Sequence, residues 1–143
     1  MENFLAALIA AALVGGTVLI HYELLRLTSA LLPRLTMRLR PRVMVVIGLL
    51  LVAHMLEILL YAAAYYGMHN HFGLGRIAGE MEGGFRDFLY FSMATYTTLG
   101  FGDVFPKGAL RLVAGVEAFN GLVLIGWSAS YTYFAMRKLW DAH

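Results

Sequence analysis

Cysteine is absent from the 143 residues, which excludes disulfide frameworks, thiolate metal sites and cysteine nucleophiles. Charge is scarce as well. Asp, Glu, Lys and Arg make up 14% of the chain and hydrophobic residues 60%, where soluble domains average roughly 25% and 45–50%. That balance argues against a water-soluble globule. A formal net charge of +2 is too small to indicate a nucleic-acid partner. Internal repeats, low-complexity tracts and Ser/Pro-rich linkers are also missing, so nothing marks a separate catalytic or soluble appendage.

What the chain has instead is long apolar runs. Residues 4–20 carry no charge and weak apolar character continues to residue 27, enough to cross a bilayer. Glu2 is the only charge before this run, so the basic n-region of a signal peptide is lacking. Residues 43–66 form a second span interrupted by His54 and Glu57, and residues 112–136 a third interrupted by Glu117 and Asn120. The apolar stretch at 85–98 reaches only about 20 Å as a helix and cannot cross. A short apolar helix followed by Gly-rich chain between two spans implies a re-entrant segment whose irregular backbone lines a watery cavity.

The basic residues set the sidedness. Arg26, Arg34, Arg38, Arg40 and Arg42 lie between the first two spans, and Arg137 and Lys138 follow the third, so these regions are expected to be cytoplasmic. In the connection between spans two and three, Glu80, Glu82, Asp87 and Asp103 balance Arg76, Arg86, Lys107 and Arg111. This places that connection outside together with the N-terminus. The expectation is an all-α, multi-pass protein of the cell (inner) membrane with the C-terminus in the cytoplasm. Segment 1–42 supplies a first helix and a basic linker, and segment 43–143 the remainder.

Chemistry concentrates in Thr95-Tyr96-Thr97-Thr98-Leu99-Gly100-Phe101-Gly102-Asp103, where the re-entrant helix ends. Two glycines one residue apart permit backbone conformations that L-residues disfavour, so successive carbonyl oxygens can turn toward one axis. Rings of such oxygens replace the hydration shell of a monovalent cation, and a threonine hydroxyl just before them adds one further ring.

This segment resembles the potassium channel signature T-x-x-T-x-G-[YF]-G-D, with every fixed position filled. The likeness runs from about residue 43 to 136 and covers the outer helix, pore helix, filter and inner helix of the potassium channel pore-domain family. A small prokaryotic-type member with an extra N-terminal helix is implied. Carried across, the resemblance implies that Thr98, Leu99, Gly100 and Phe101 bind potassium through their carbonyls, Thr98 also through its hydroxyl. Gly102 completes the filter and Asp103 braces its mouth. The ring needs four strands and this chain holds one, so a fourfold homotetramer is implied. Gly121 takes the place of the flexible glycine at which inner helices often bend. Leu122, Ile125, Ala129 and Tyr133, spaced by 3, 4 and 4, form the expected pore lining, with Tyr133 the inner constriction. Potassium ions and membrane lipid are the implied partners, no cofactor beyond bound potassium is needed, and the protein is not an enzyme.

Leu99 stands where Val or Ile is more usual, Phe101 where Tyr is commoner, and Ala94 where some members place a Glu. A non-selective monovalent cation channel is therefore the alternative within the class. A membrane-embedded metal enzyme and a non-conducting subunit are rivals from other classes, and neither explains residues 98–103.

Several other patterns compete for a role. Gly73-Leu74-Gly75-Arg76-Ile77-Ala78 matches a dinucleotide pattern but follows a membrane span instead of a strand, so a flexible outer loop is expected. His54 and Glu57 share a helix face deep in span two, where ionisable groups are rarely idle. A two-metal carboxylate site needs more ligands than His21, Glu23, His54, Glu57 and Glu117 supply, which favours interhelical hydrogen bonding. Glu117 falls off the pore-facing side and should bond to the pore helix or span two. Asn120 is less constrained. His69 and His71 read as surface decoration, and residues 31–42 as a short helix on the inner leaflet, anchored to anionic lipid.

Overall fold

The computed structural model describes residues 1–36 and 38–141. Three helices are long and apolar enough to cross a membrane: α1 (Glu2–Leu31), α2 (Leu39–Asn70) and α4 (Leu110–Asp141). Each extends several residues past the apolar run that announces it. At 1.5 Å per residue they reach about 45–48 Å, more than the roughly 30 Å hydrocarbon core, so their ends emerge into the interface or the helices tilt.

The buried face of α1 is a stripe of Ala6, Ala10, Leu13, Thr17, His21, Leu25 and Thr28, spaced by three or four residues as one helix face requires. Small residues at the top of this stripe let α1 approach closely, and Ala6, Ala10 and Leu13 join Tyr61, Tyr65 and Met68 of α2 and Leu110, Val113 and Ala114 of α4 in one apolar core. Large apolar side chains such as Leu19, Met44, Leu51 and Val123 remain exposed on the outer surface of the single chain, as lipid or a neighbouring subunit would require.

The connection between α1 and α2 departs from expectation. No separate surface helix forms over 31–42 among the described residues. Leu31 ends α1, Leu32–Arg34 make one 3-10 turn containing Pro33, and residues 39–42 already belong to α2. Pro41 sits in the first turn of α2, where its missing N–H costs nothing, and Arg42 reaches back to the Leu35 carbonyl at 2.6 Å. Met37, within that linker, lies outside the described residues.

Between α2 and α4 the chain builds β1 (Arg76–Gly79), α3 (Phe85–Tyr96) and β2 (Val104–Lys107). The strands pair antiparallel, Arg76 opposite Lys107 and Gly79 opposite Val104. The expected flexible loop at Gly73–Ala78 is thus corrected to a packed ribbon at its C-terminal end. Gly79, at φ +117°, rests against the Asp103 carbonyl so closely that a Cβ would collide with it. His69 is likewise structural: its Nδ1 accepts the Ile77 N–H at 3.1 Å and its ring packs edge-on against Phe88.

Candidate functional site

The helix α3 is 12 residues long, about 18 Å, and starts where Gly83 and Gly84 free the chain to turn. The Asp87 carboxylate in its first turn accepts the Gly83 N–H at 2.7 Å, compensating the unpaired donors of a helix N-terminus. Its C-terminus opens directly onto residues 97–103. Carbonyls left unpaired at that end carry partial negative charge, the sign that favours a nearby cation.

Backbone bonds fold the following chain against this end. Thr97 N–H donates to Met93 at 3.1 Å, Thr98 N–H to Thr95 at 3.0 Å and Gly100 N–H to Ala94 at 3.1 Å. Positive φ then recurs at every second residue: Thr98 at +59°, Gly100 at +52° and Gly102 at +86°, while Leu99 and Phe101 keep the ordinary sign. In a regular strand neighbouring carbonyls point to opposite sides. Inverting the backbone at alternate residues swings them toward one side, and the N–H of Gly100 meanwhile points back to α3. Thr98 is the only non-glycine residue with positive φ among those described. A β-branched residue held there costs of order 1–3 kcal/mol, and strain of this kind clusters at functional sites.

Thr98, Leu99, Gly100, Phe101, Gly102 and Asp103 are all exposed on the single chain, Leu99 at 58% and Phe101 at 69%. At the far end of the segment Asp103 is fixed twice. Its carboxylate accepts the Tyr90 O–H at 2.8 Å, and its backbone carbonyl accepts the Glu80 N–H at 3.0 Å. That carboxylate raises the Tyr90 phenol above its ordinary pKa by holding its proton.

Behind the segment lies a buried polar scaffold. Tyr96, the last residue of α3, donates its O–H to Glu57. The Nδ1 of His54 lies 2.8 Å from that same Tyr96 oxygen and 3.2 Å from Glu57, while His21 Nδ1 lies 2.8 Å from the other Glu57 oxygen. Ser128 of α4 closes the group, its Oγ 2.9 Å from His54 Nε2 and 3.2 Å from His21 Nε2. Four helices therefore meet at one cluster, and His21, His54 and Glu57 bring three metal-type ligands within 4.8 Å of one another.

A second knot joins the same helices. Glu117 accepts from Tyr65 of α2 and from Ser92 of α3, the latter at 2.5 Å, so its expected off-axis bonding to the pore helix and span two is what the structure displays. Asn120 is more constrained than its wheel position suggested: it donates to Thr17 of α1 at 2.8 Å and to Tyr61 at 3.1 Å. Gly121 lies inside the unbroken helix α4, and a Cβ there would collide with the Tyr96 carbonyl. A close approach of α3 to α4 thus requires glycine at this position.

Leu122, Ile125, Ala129 and Tyr133 are all exposed along α4, on a face adjoining the buried side that carries Glu117, Asn120, Gly121, Leu124 and Ser128. Sequence reasoning missed Tyr96, Ser92, Ser128, Thr17, Tyr61 and Tyr65 as scaffold residues. The available signal was hydrogen-bonding groups at buried helical spacing, Thr17 and His21 above all.

Residues 53–138 match the family model described as "Ion channel". Among curated proteins, "Two-pore potassium channel 1" of Arabidopsis thaliana is 44% identical over 52 residues, covering 36% of this chain and 14% of that protein. "Two pore potassium channel b" of Oryza sativa subsp. japonica is 36% identical over 81 residues, covering 56% of this chain and 21% of that protein. The matched region thus spans about a fifth or less of either relative's length. No solved structure matches the chain significantly.

Proposed function

Because the chain belongs to the ion channel family, with the potassium channel pore-domain as its shared module, we propose that it conducts potassium passively through a filter of its own backbone oxygens. It is a multi-pass membrane protein and a channel, not an enzyme.

In this reading the carbonyls of Thr98, Leu99, Gly100 and Phe101, with the Thr98 hydroxyl, replace the water around a dehydrating potassium ion. Gly102 carries the chain out of the filter and Asp103 anchors the mouth. One strand cannot surround an ion, so four copies close the ring as a homotetramer. The exposed residues 98–103 and the open groove beside them, bounded by Ala94, Ala114 and Ala118, leave a face for the neighbouring copy. Leu122, Ile125, Ala129 and Tyr133 line the inner pore in the same assembly, with Tyr133 its narrowest ring. Gly121 serves as the bending point, and because it touches the Tyr96 carbonyl, a bend there would be felt at the base of the filter. The basic linker and Arg137 with Lys138 face the cytoplasm, where anionic lipid completes their charge.

The observation that carries this reading is the alternation of φ across residues 98–102, with the Gly100 N–H turned back to Ala94. Liposome flux under potassium and sodium gradients tests it. Potassium flux well above sodium flux is the expected outcome. Equal fluxes would favour the non-selective alternative, for which Phe101 gives a physical reason, having no hydroxyl with which to tie the filter to α3. Absent flux for both ions, from protein with intact oligomers, would remove the reading.

A further inference from the structure

The cluster behind the filter has a deficit that its own protons do not fill. Glu57 is completely buried, and its only charge partners among the described residues are His21 and His54. With both rings neutral, the cluster carries a net negative charge inside an apolar span, where an uncompensated carboxylate is strongly disfavoured.

The hydrogen-bond inventory points the same way. Each Nδ1 faces Glu57, and each Nε2 faces the Ser128 hydroxyl. If both rings carry their proton on Nδ1, both Nε2 atoms are acceptors, and Ser128 has one proton for two of them. With His21 protonated on Nδ1 and His54 on Nε2, Ser128 donates to one ring and accepts from the other, and one atom is left over: His54 Nδ1, which faces the carboxylate and competes with it for the single Tyr96 proton. A cation there would both occupy that lone pair and compensate the carboxylate.

We infer that His21 Nδ1, His54 Nδ1 and the Glu57 carboxylate form a binding site for one divalent metal ion of the zinc class in each chain, with the Tyr96 oxygen at the fourth position. Two imidazoles and a carboxylate around one ion, with a position left for an oxygen, is a ligand set that zinc accepts. Tetrahedral ligands about 2.0–2.1 Å from zinc lie about 3.3 Å from one another. Here His54 Nδ1 stands 3.2 Å and His21 Nδ1 2.8 Å from the two Glu57 oxygens, and the Tyr96 oxygen lies 2.8 Å from His54 Nδ1 and closer still to Glu57, so admitting the ion asks for at least about half an ångström of opening on both the His21 and the Tyr96 sides. Ser128 then plays the outer partner, fixing both rings in the tautomer that exposes Nδ1. Trp127, 5.1 Å from the His21 ring, walls the site on that side. The ion would bind α1, α2 and the last residue of α3 together immediately before Thr97. None of these ligands is assigned to conduction, so failure of this inference leaves the proposed function untouched.

The test uses the full chain in detergent, its affinity tag removed, stripped with a chelator and dialysed against zinc chloride before metal is counted by plasma mass spectrometry. One zinc per chain is expected, with affinity falling at least tenfold in His54→Gln and in Glu57→Gln, as loss of a ligand requires. The outer-loop control His71→Ala, at an exposed position, should bind zinc like the unaltered protein. Because altering the cluster can impair folding, X-ray absorption on unaltered, zinc-loaded protein gives a second reading. Two nitrogen ligands at about 2.0–2.1 Å with one or two oxygens are expected. Failure of the unaltered protein to retain zinc would overturn the inference and leave a proton on one imidazole as the compensating charge. Undiminished binding in a well-folded His54→Gln, or loss of zinc in the outer-loop control, would place the metal elsewhere and overturn it equally.

Discussion

Residues 97–103 and the cluster packed behind them are built on opposite principles. The front segment is exposed, strained at Thr98, and held by backbone bonds to the end of α3 and by Asp103 at its exit. Behind it, Glu57, Glu117, His21 and Ser92 are fully buried and bonded through their side chains to three or four helices. If the front segment is the proposed filter, a surface of main-chain carbonyls cannot be tuned by exchanging side chains on it, and its geometry is specified from the rear, by residues that would never meet the ion.

The sharpest way to break this contrast is at the front. In Gly100→Ala, a Cβ finds open space in the single chain, so the penalty is conformational, roughly 1–2 kcal/mol for an L-residue in the left-handed region. In the proposed tetramer four copies sum to at least about 4 kcal/mol, about three decades in the population of the conducting geometry. Potassium flux should fall correspondingly, while membrane insertion and fluorescence-detected elution remain those of the unaltered protein.

Gly121→Ala attacks the junction of the two regions. The added methyl meets the Tyr96 carbonyl, and relief of such overpacking typically costs about 1–3 kcal/mol per chain. A lowered melting temperature of the purified oligomer is the expected result. A variant with unchanged melting but altered open probability would instead identify bending as the dominant role of this glycine.

Tyr96→Phe removes the rear scaffold's connection to the front while keeping the ring. Glu57 and His54 each lose a partner, a loss of about 1–3 kcal/mol when the groups left behind are buried. Thermal melting should drop, and selectivity measured by ion replacement should loosen, since the residue preceding Thr97 is no longer held. Tyr90→Phe is the mildest case. The bond to Asp103 is partly solvated, so about 0.5–1.5 kcal/mol is at stake, and a small change in flux with unchanged assembly is expected.

Much of this was legible in the sequence, and the reasons for success and failure are physical. Uninterrupted apolar runs reveal spans because the bilayer imposes a length, and residues 85–98 were legible as re-entrant because they fall short of it. Helix ends were not: α2 begins at Leu39 and ends at Asn70, beyond the apolar run at both ends, because a helix continues into the interface without needing apolar residues there. The glycines of the signature motif were legible individually, because the positive φ at Gly100 and Gly102 is a conformation that favours glycine. The scaffold was not, since His21 and Glu57 lie 36 residues apart and Asn120 and Thr17 lie 103 apart, distances over which spacing carries no information about contact. The ribbon escaped notice for the same reason, four-residue strands being too short to show a period.

That ribbon has a consequence in chain entropy. By joining residues 76–79 to 104–107, it turns everything between, α3 and the exposed segment included, into a closed loop whose two ends are zipped together. The entropy of bringing those ends together is spent once, in forming the zipper, and grows only slowly with the length of what is enclosed. The enclosed residues should open and close as one unit with it, so that hydrogen exchange at Ile77 and Phe105 tracks exchange at Gly100. A cut in the exposed stretch around Glu82 would leave α3 and the segment joined covalently only to α4, with the hydrogen bonds of the ribbon as their remaining link to β1.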